Sequence, residues 1–357
     1  MNTFKTDILI IGAGLTGLTL AYYLKDLNIS FKITEARPTI GGRIKTKYNT
    51  NQAPIELGAT WLIEQQVAAI KLLKELNIPV FKQYYGKTAI YQPNQMQAAQ
   101  LVKLPENNAV SYRVEDGTYS VIKALAEKLP ENSIDCNQSV QSIKTHNGGL
   151  EIEATTYKYH CKHVIATLPP SLFSKTITTE PSLSKDIKQL MLNTHTWMQD
   201  SIRVGITYKN AFWQNKNTSG TIYSSAGLIQ EFYDHSNANN SLFALSGFIN
   251  SKSSDYNRDQ RKALIIKQLQ TFYGDQALEY DSYEECVWKD EKQTLVGNDT
   301  FLMPQTNNGH PLYQNTYLNN RLFIAGAETS PVFSGKMEGA ITSAQCVFKK
   351  LKTIYNK

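Results

Sequence analysis

An α/β fold, with a parallel sheet assembled from separated segments and an α+β companion domain carrying an antiparallel sheet, follows from three observations. Asp7-Ile8-Leu9-Ile10-Ile11 is a short unbroken apolar run, as a parallel strand buried on both faces requires. It leads straight into Gly12-Ala13-Gly14-Leu15-Thr16-Gly17, after which Leu20, Ala21, Leu24 and Leu27 recur at helical spacing. Runs of the same buried type return far downstream, at Val164-Ile165-Ala166-Thr167-Leu168 and Leu322-Phe323-Ile324-Ala325.

Each further element has its own signal. Phe31-Lys32-Ile33-Thr34-Glu35 reads as the second strand and completes a strand–glycine turn–helix–strand unit of Rossmann type. Alternation over Ile202–Tyr208 and Ser241–Ile249 predicts antiparallel strands. The stretches 65–125 and 175–300 are more polar and rich in Tyr and Asn, so they are assigned to the second domain. The first then takes 1–64, 126–174 and 301–357. A length of 357 residues exceeds what one core usually serves and suits this division.

Composition excludes several classes. Hydrophobic residues make up 41%, which leaves no room for extended disorder. The four cysteines, Cys136, Cys161, Cys286 and Cys346, are scattered without CxxC pairing, which argues against a disulfide framework and for a reducing, cytoplasmic setting. No run approaches a membrane span, and no signal segment precedes the first strand. A net charge of +6 is spread out, apart from Lys349-Lys350-Leu351-Lys352, which reads as the solvated face of a last helix. Nucleic acid and integral membrane partners are therefore not expected.

In the glycine turn, Gly12 permits the tight bend, Gly14 lets the backbone approach a pyrophosphate, and Gly17 allows helix and strand to pack closely. Leu15 and Thr16 open a helix whose free N–H groups and partial positive charge suit phosphate. Glu35 ends the second strand, where a carboxylate binds a ribose hydroxyl pair and repels a 2′-phosphate. The sequel, Ala36-Arg37-Pro38-Thr39-Ile40-Gly41-Gly42-Arg43, adds a second glycine pair and an arginine for the diphosphate. Nicotinamide domains do not need it, and the expected cofactor is FAD.

At this point the chain resembles the flavin amine oxidase family, which includes monoamine and polyamine oxidases. The resemblance runs through Glu56-Leu57-Gly58-Ala59-Thr60-Trp61, which in that family lies along the flavin, and Val140, where the family's backbone meets the adenine. It continues through Val164–Pro170 and closes with Leu322–Thr329 and Ser334-Gly335-Lys336-Met337-Glu338-Gly339-Ala340. It implies that Gly326 and Glu328 belong to the cofactor site, with Glu328 on ribityl or ribose hydroxyls. It also implies that Met337 and Ala340 begin the last helix at the pyrimidine edge of the flavin, and that Trp288 stands beside the ring. The implied chemistry is hydride transfer from an amine or amino acid to flavin N5, with molecular oxygen as acceptor and hydrogen peroxide as product.

The chain departs from the family pattern where substrate would bind. Counting back from Phe212-Trp213 puts Arg203 where the family has a lysine near N5, and arginine does not shuttle protons. Lys336 stands where monoamine oxidases carry a cage tyrosine. The positions of the attachment cysteine and of the second cage ring fall at Gly297 and Asn298, so non-covalent FAD is expected. Arg203 and Lys336 are the candidate catalytic residues: two cations at a flavin would favour an anionic substrate group such as a carboxylate. The alternative is that Lys336 turns to solvent and Arg203 pairs with an acid. Two other functions stay open: dehydrogenation of a C–C bond, and flavin binding without turnover.

Other signals carry less. His160-Cys161-Lys162-His163 makes no metal site, because neighbours on a strand point to opposite faces, and no metal is expected. Among 20 tyrosines, Tyr84, Tyr85, Tyr112, Tyr223 and Tyr233 are cavity candidates that sequence does not separate.

Overall fold

The first strand, Asn2–Ile11, shows why the central sheet is covered on both sides. Ile8 and Ile10 join a core beneath the helices Leu15–Leu24 and Met337–Tyr355, while Leu9 and Ile11 join a second core on the other face. A strand with no polar face has to be sandwiched. The computed structural model describes residues 2–105, 110–214, 218–297 and 302–355.

Among these residues the larger sheet has nine strands. Its parallel part runs Ile134–Asp135, Phe31–Thr34, Asn2–Ile11, Tyr157–Ala166, Leu322–Ile324, with Ile10 level with Ile33 and Ile165. Segments that are far apart in sequence thus lie side by side at one sheet end, and all of them enter their loops on the same side. Tyr157–Ala166 also pairs antiparallel with Gly149–Ala154, which pairs with Val140–His146 to form a flanking hairpin. The fold is α/β.

The second sheet has seven described strands, in the order Tyr280–Val287, Ile202–Tyr208, Phe243–Ile249, Ile229–Asp234, Ile222–Ser224, Thr88–Gln92, Gln100–Lys103. Ile202–Tyr208 lies antiparallel to both of its neighbours, with Ile202 opposite Ile249 and Val287. Its alternating sequence nevertheless hides seven buried residues. One face packs under the helix Arg258–Tyr273 through Ile265, Ile266 and Leu269. The other meets Ile55 so closely that a Cβ on Gly205 would lie 2.2 Å from its Cγ2. That covering helix is specified locally. Asn257 and Gln260 form a reciprocal capping box, and Gly274, at φ +83°, ends it.

The helices Val67–Glu75 and Tyr119–Glu127, assigned by composition to the second domain, bury Leu72, Leu73, Ile122 and Leu125 in the core shared by the first and last helices. Glu338 caps the former across the chain, accepting N–H bonds from Ala68 at 3.0 Å and Ala69 at 2.7 Å. The polar surface of this segment conceals its apolar stripe. No described helix is long and apolar enough to cross a membrane.

Candidate active site

At the loop end of the parallel sheet the two glycine turns face each other. Gly41 N–H donates to Ala13 O at 2.9 Å, and a Cβ on Gly42 would lie 3.3 Å from Gly14 Cα. Gly12 and Gly41 have φ of +105° and +118°, a region closed to other residues without strain. The result is a cavity with two facing glycine turns in its wall. Gly12, Gly14, Leu15, Thr16, Glu35, Ala36, Arg37, Gly41, Gly42, Arg43, Ala59, Val140, Lys336, Met337 and Ala340 all line it. No side chain caps Gly14 at the start of the first helix, so the first-turn N–H groups stay open to a ligand.

Its charged groups are fixed from behind. Glu35 is buried, accepting N–H bonds from Ala13 at 2.8 Å and Arg37 at 2.9 Å. Arg37 donates to Thr294 Oγ1 at 2.8 Å. Arg43 forks onto Glu328, with Nη2 to Oε2 at 2.8 Å and Nη1 to Oε1 closer still. Burial alone would raise the Glu328 pKa, but the Arg43 charge and hydrogen bonds, joined by the Trp197 N–H at 3.1 Å, hold it below the usual carboxylate range.

A second cavity of about 690 Å³ opens beside the first, within the range of small-molecule sites. Ala59, Trp197, Met198, Gly335, Lys336 and Met337 line both, so the two meet along a seam at the start of the last helix. Gly58, Thr60, Trp61, Tyr85, Tyr233 and Phe248 are part of the remaining wall. Trp61 packs edge-on to Tyr233 at 5.3 Å, and Tyr233 to Tyr85 at 5.9 Å. Tyr233 donates to Glu231 at 2.9 Å, and burial together with that carboxylate raises its pKa. Glu231 and Asp200 bring two carboxylates to the cavity. Lys336 places its Nζ 3.6 Å from the centroid of Trp197, a cation–π contact, and burial lowers its pKa. No described carboxylate pairs with it.

Five predicted residues lie behind the walls. Arg203 lines neither cavity. It is fully buried between the rings of Trp61 and Phe248, at 4.8 and 4.4 Å, and donates to Glu56 O and Thr60 Oγ1 at 3.1 and 3.0 Å. Burial lowers its pKa to about 10, which leaves it a cation at neutral pH. The pair of cations expected at the substrate is thus reduced to Lys336, set against two acids. Glu328, expected on ribityl or ribose hydroxyls, does not line the cavity and accepts from Arg43 and Trp197 behind it. Trp288 is buried, donating to Leu57 O at 2.8 Å, and supports the Leu57–Gly58 backbone from the far side. Gly17 packs under the turn, where a Cβ would meet Gly12 O at 2.0 Å. Gly326 donates to Ser343 Oγ at 3.1 Å beneath the last helix. Asn298 lies outside the described residues.

Trp197 escaped the sequence reading, although it touches Arg43, Glu328 and Lys336 together. The signal available was a single tryptophan in the loop between the helix Lys185–Leu192 and the strand that carries Arg203.

A glycine-walled slot for a dinucleotide, opening edge to edge onto an aromatic chamber for a reactant, is the arrangement of an FAD-dependent oxidoreductase. The chain belongs to the family described as flavin containing amine oxidoreductase, whose model matches residues 15–94 and 89–347. It is 22% identical to amine oxidase [flavin-containing] A of Sus scrofa over 98% of this chain and 86% of that protein. With putrescine oxidase of Kocuria rosea it shares 21% over 82% and 84% of the two chains. Solved structures agree in fold. Wild-type putrescine oxidase bound to putrescine matches with a TM-score of 0.84 at 20% identity, covering 99% of this chain and all of that one. Cyclohexylamine oxidase from Brevibacterium oxydans matches with 0.84 at 17%, covering 97% and 99%.

Proposed function

We propose that this protein oxidises the C–N bond of a small amine at the seam between the two cavities, with FAD held non-covalently in the first and molecular oxygen as the final acceptor. The observation that carries this is the seam itself. Six residues belong to both cavities, so ligands in the two would be held against the same residues. FAD, when bound, supplies a two-electron acceptor at its ring, and the amine leaves as an imine that water hydrolyses.

The chain's own residues supply position and charge. The open first-turn N–H groups and Arg43 would hold the diphosphate, Glu35 a ribose, and Val140 the adenine side. Met337 and Ala340, in the first turn of the last helix, would direct their positive helix end at the ring edge. Glu231 and Asp200 would draw an ammonium group into the chamber, and Trp61, Tyr85, Tyr233 and Phe248 would exclude water around it. Cys136, Cys161, Cys286 and Cys346 line neither cavity, which supports non-covalent FAD. All four are free, in keeping with a reducing, cytoplasmic setting. The cofactor half would be a Rossmann-type domain built from 1–64, 126–174 and 301–357, enlarged by the helices Val67–Glu75 and Tyr119–Glu127.

Lys336 favours a second reading of the substrate. Half-buried at the seam against Trp197 and with no described carboxylate beside it, it would pair with a carboxylate carried by the amine, as in an amino acid. Steady-state oxidation of simple primary amines and amino acids, followed by peroxide release, separates the two. Turnover of simple amines alone assigns Glu231 and Asp200 as the attraction, and turnover confined to amino acids assigns Lys336. Peroxide from neither panel contradicts the proposal.

A further inference from the structure

The hairpin that flanks the parallel sheet carries a cluster of metal-ligating groups far from either cavity lining. His146 ends the strand Val140–His146, Glu151 lies on Gly149–Ala154, and His160 lies on Tyr157–Ala166. Glu151 and His160 are direct cross-strand partners, and His146 is the diagonal neighbour of Glu151, since Lys144 stands opposite Glu151. The residues flanking Glu151 and His160, namely Leu150, Ile152, Tyr159 and Cys161, turn into the core, so the cluster stands together on the outer face. On sequence His160-Cys161-Lys162-His163 is set aside as a metal site, and pairing His160 with His163 is indeed not the arrangement. His163 faces the other way and binds Tyr355 Oη at 2.9 Å.

The spacing is that of a coordination shell. One ligand atom from each residue lies within 4.8 Å of the others, and His160 Nε2 is 3.4 Å from Glu151 Oε2. Bonds of about 2.0–2.1 Å to a tetrahedral ion set neighbouring ligand atoms about 3.4 Å apart, which is the separation of His160 Nε2 and Glu151 Oε2. The His146 and His160 rings meet edge-on at 5.2 Å, and exposed His146 would exchange its 2.9 Å contact with Asn147 Nδ2 for the ion at the third corner. Lys158 competes for Glu151 at 3.2 Å, but it also reaches Glu153 at 3.4 Å and keeps that partner if Glu151 turns to a metal.

We propose that His146, Glu151 and His160 bind one divalent transition ion of the zinc class, with the remaining position open to water. Two imidazoles and one carboxylate suit zinc, copper or nickel and disfavour calcium and magnesium. The ion ties the hairpin tip to the strand Tyr157–Ala166 and takes no part in amine oxidation.

Calorimetric titration of FAD-loaded, chelator-treated protein with zinc chloride tests this. Wild type should bind one equivalent in the micromolar range with a rise in melting temperature, and magnesium should not compete. His160→Ala and His146→Ala should each weaken binding by about tenfold or more, with flavin content and amine oxidation unchanged. His146 is exposed at the hairpin end, so its variant reports even if His160→Ala folds poorly. Absence of saturable binding overturns the proposal. So does binding that both variants leave intact, which would place the ion on other histidines or cysteines.

Discussion

The two cavities that meet at Lys336 are made of different materials. The first is organised around backbone turns: two glycine turns and a helix start, with arginines braced from behind by Glu328 and Thr294. The second is walled by side chains from seven or more separated segments, with rings packed on rings. A backbone wall tolerates almost no substitution, because a positive φ or a missing Cβ has no substitute. A side-chain wall can be re-papered without refolding the chain. The contrast separates a holding function from a choosing function.

The contrast breaks most visibly at Gly12. Gly12→Ala puts a Cβ 2.8 Å from Thr167 Oγ1 at φ +105°, and should weaken FAD binding about a hundredfold, read by fluorescence titration. Trp61→Leu, in the other wall, should leave FAD affinity within a few-fold and lower kcat/KM instead. Equal losses in the two variants would erase the distinction. Next in size is Glu328→Ala, which strands the Arg43 charge. We expect about 3 kcal/mol of lost stability by denaturant titration, with FAD affinity falling as the guanidinium swings free.

Beneath the second wall, burial raises the Glu56 pKa to about 7, against the hydrogen bonds from Thr118 and Thr46. A carboxyl with a raised folded pKa binds its proton more tightly in the native state. Stability is then greatest below the unfolded value of 4.5 and falls as pH rises through about 7. The loss should reach about 3 kcal/mol at most. Glu56→Gln should flatten the curve between those values in thermal unfolding. Smallest is Lys336→Met, which should change kcat/KM for amino acids by about tenfold relative to simple amines and leave FAD content alone.

These two materials also account for what could be read from sequence. Gly12, Gly14, Gly41 and Gly42 are legible because each answers a local backbone demand, and the apolar runs around them because burial on both faces leaves a continuous pattern. Counting along the family pattern located Arg203 on its strand but not its surroundings. Thr60, Trp61 and Phe248, which enclose it, arrive from other strands and loops. Glu328 was read as a ligand of the cofactor, since nothing in its neighbourhood names Arg43, 285 positions away, as its partner. Tyr85 and Tyr233 were indistinguishable from the other tyrosines until the second sheet set them side by side. The same limit hid the hairpin cluster, whose members are neighbours only after the strands pair.

The central claim is that an amine in the side-chain chamber reaches the cofactor in the backbone cradle across the seam at Lys336 and Met337. Anaerobic mixing of the FAD-loaded protein with a small primary amine or amino acid, followed by flavin absorbance, tests it most directly. Bleaching by amine or amino acid, with colour and peroxide returning on aeration, is the result predicted. A flavin that dithionite reduces but no member of either panel bleaches would contradict it.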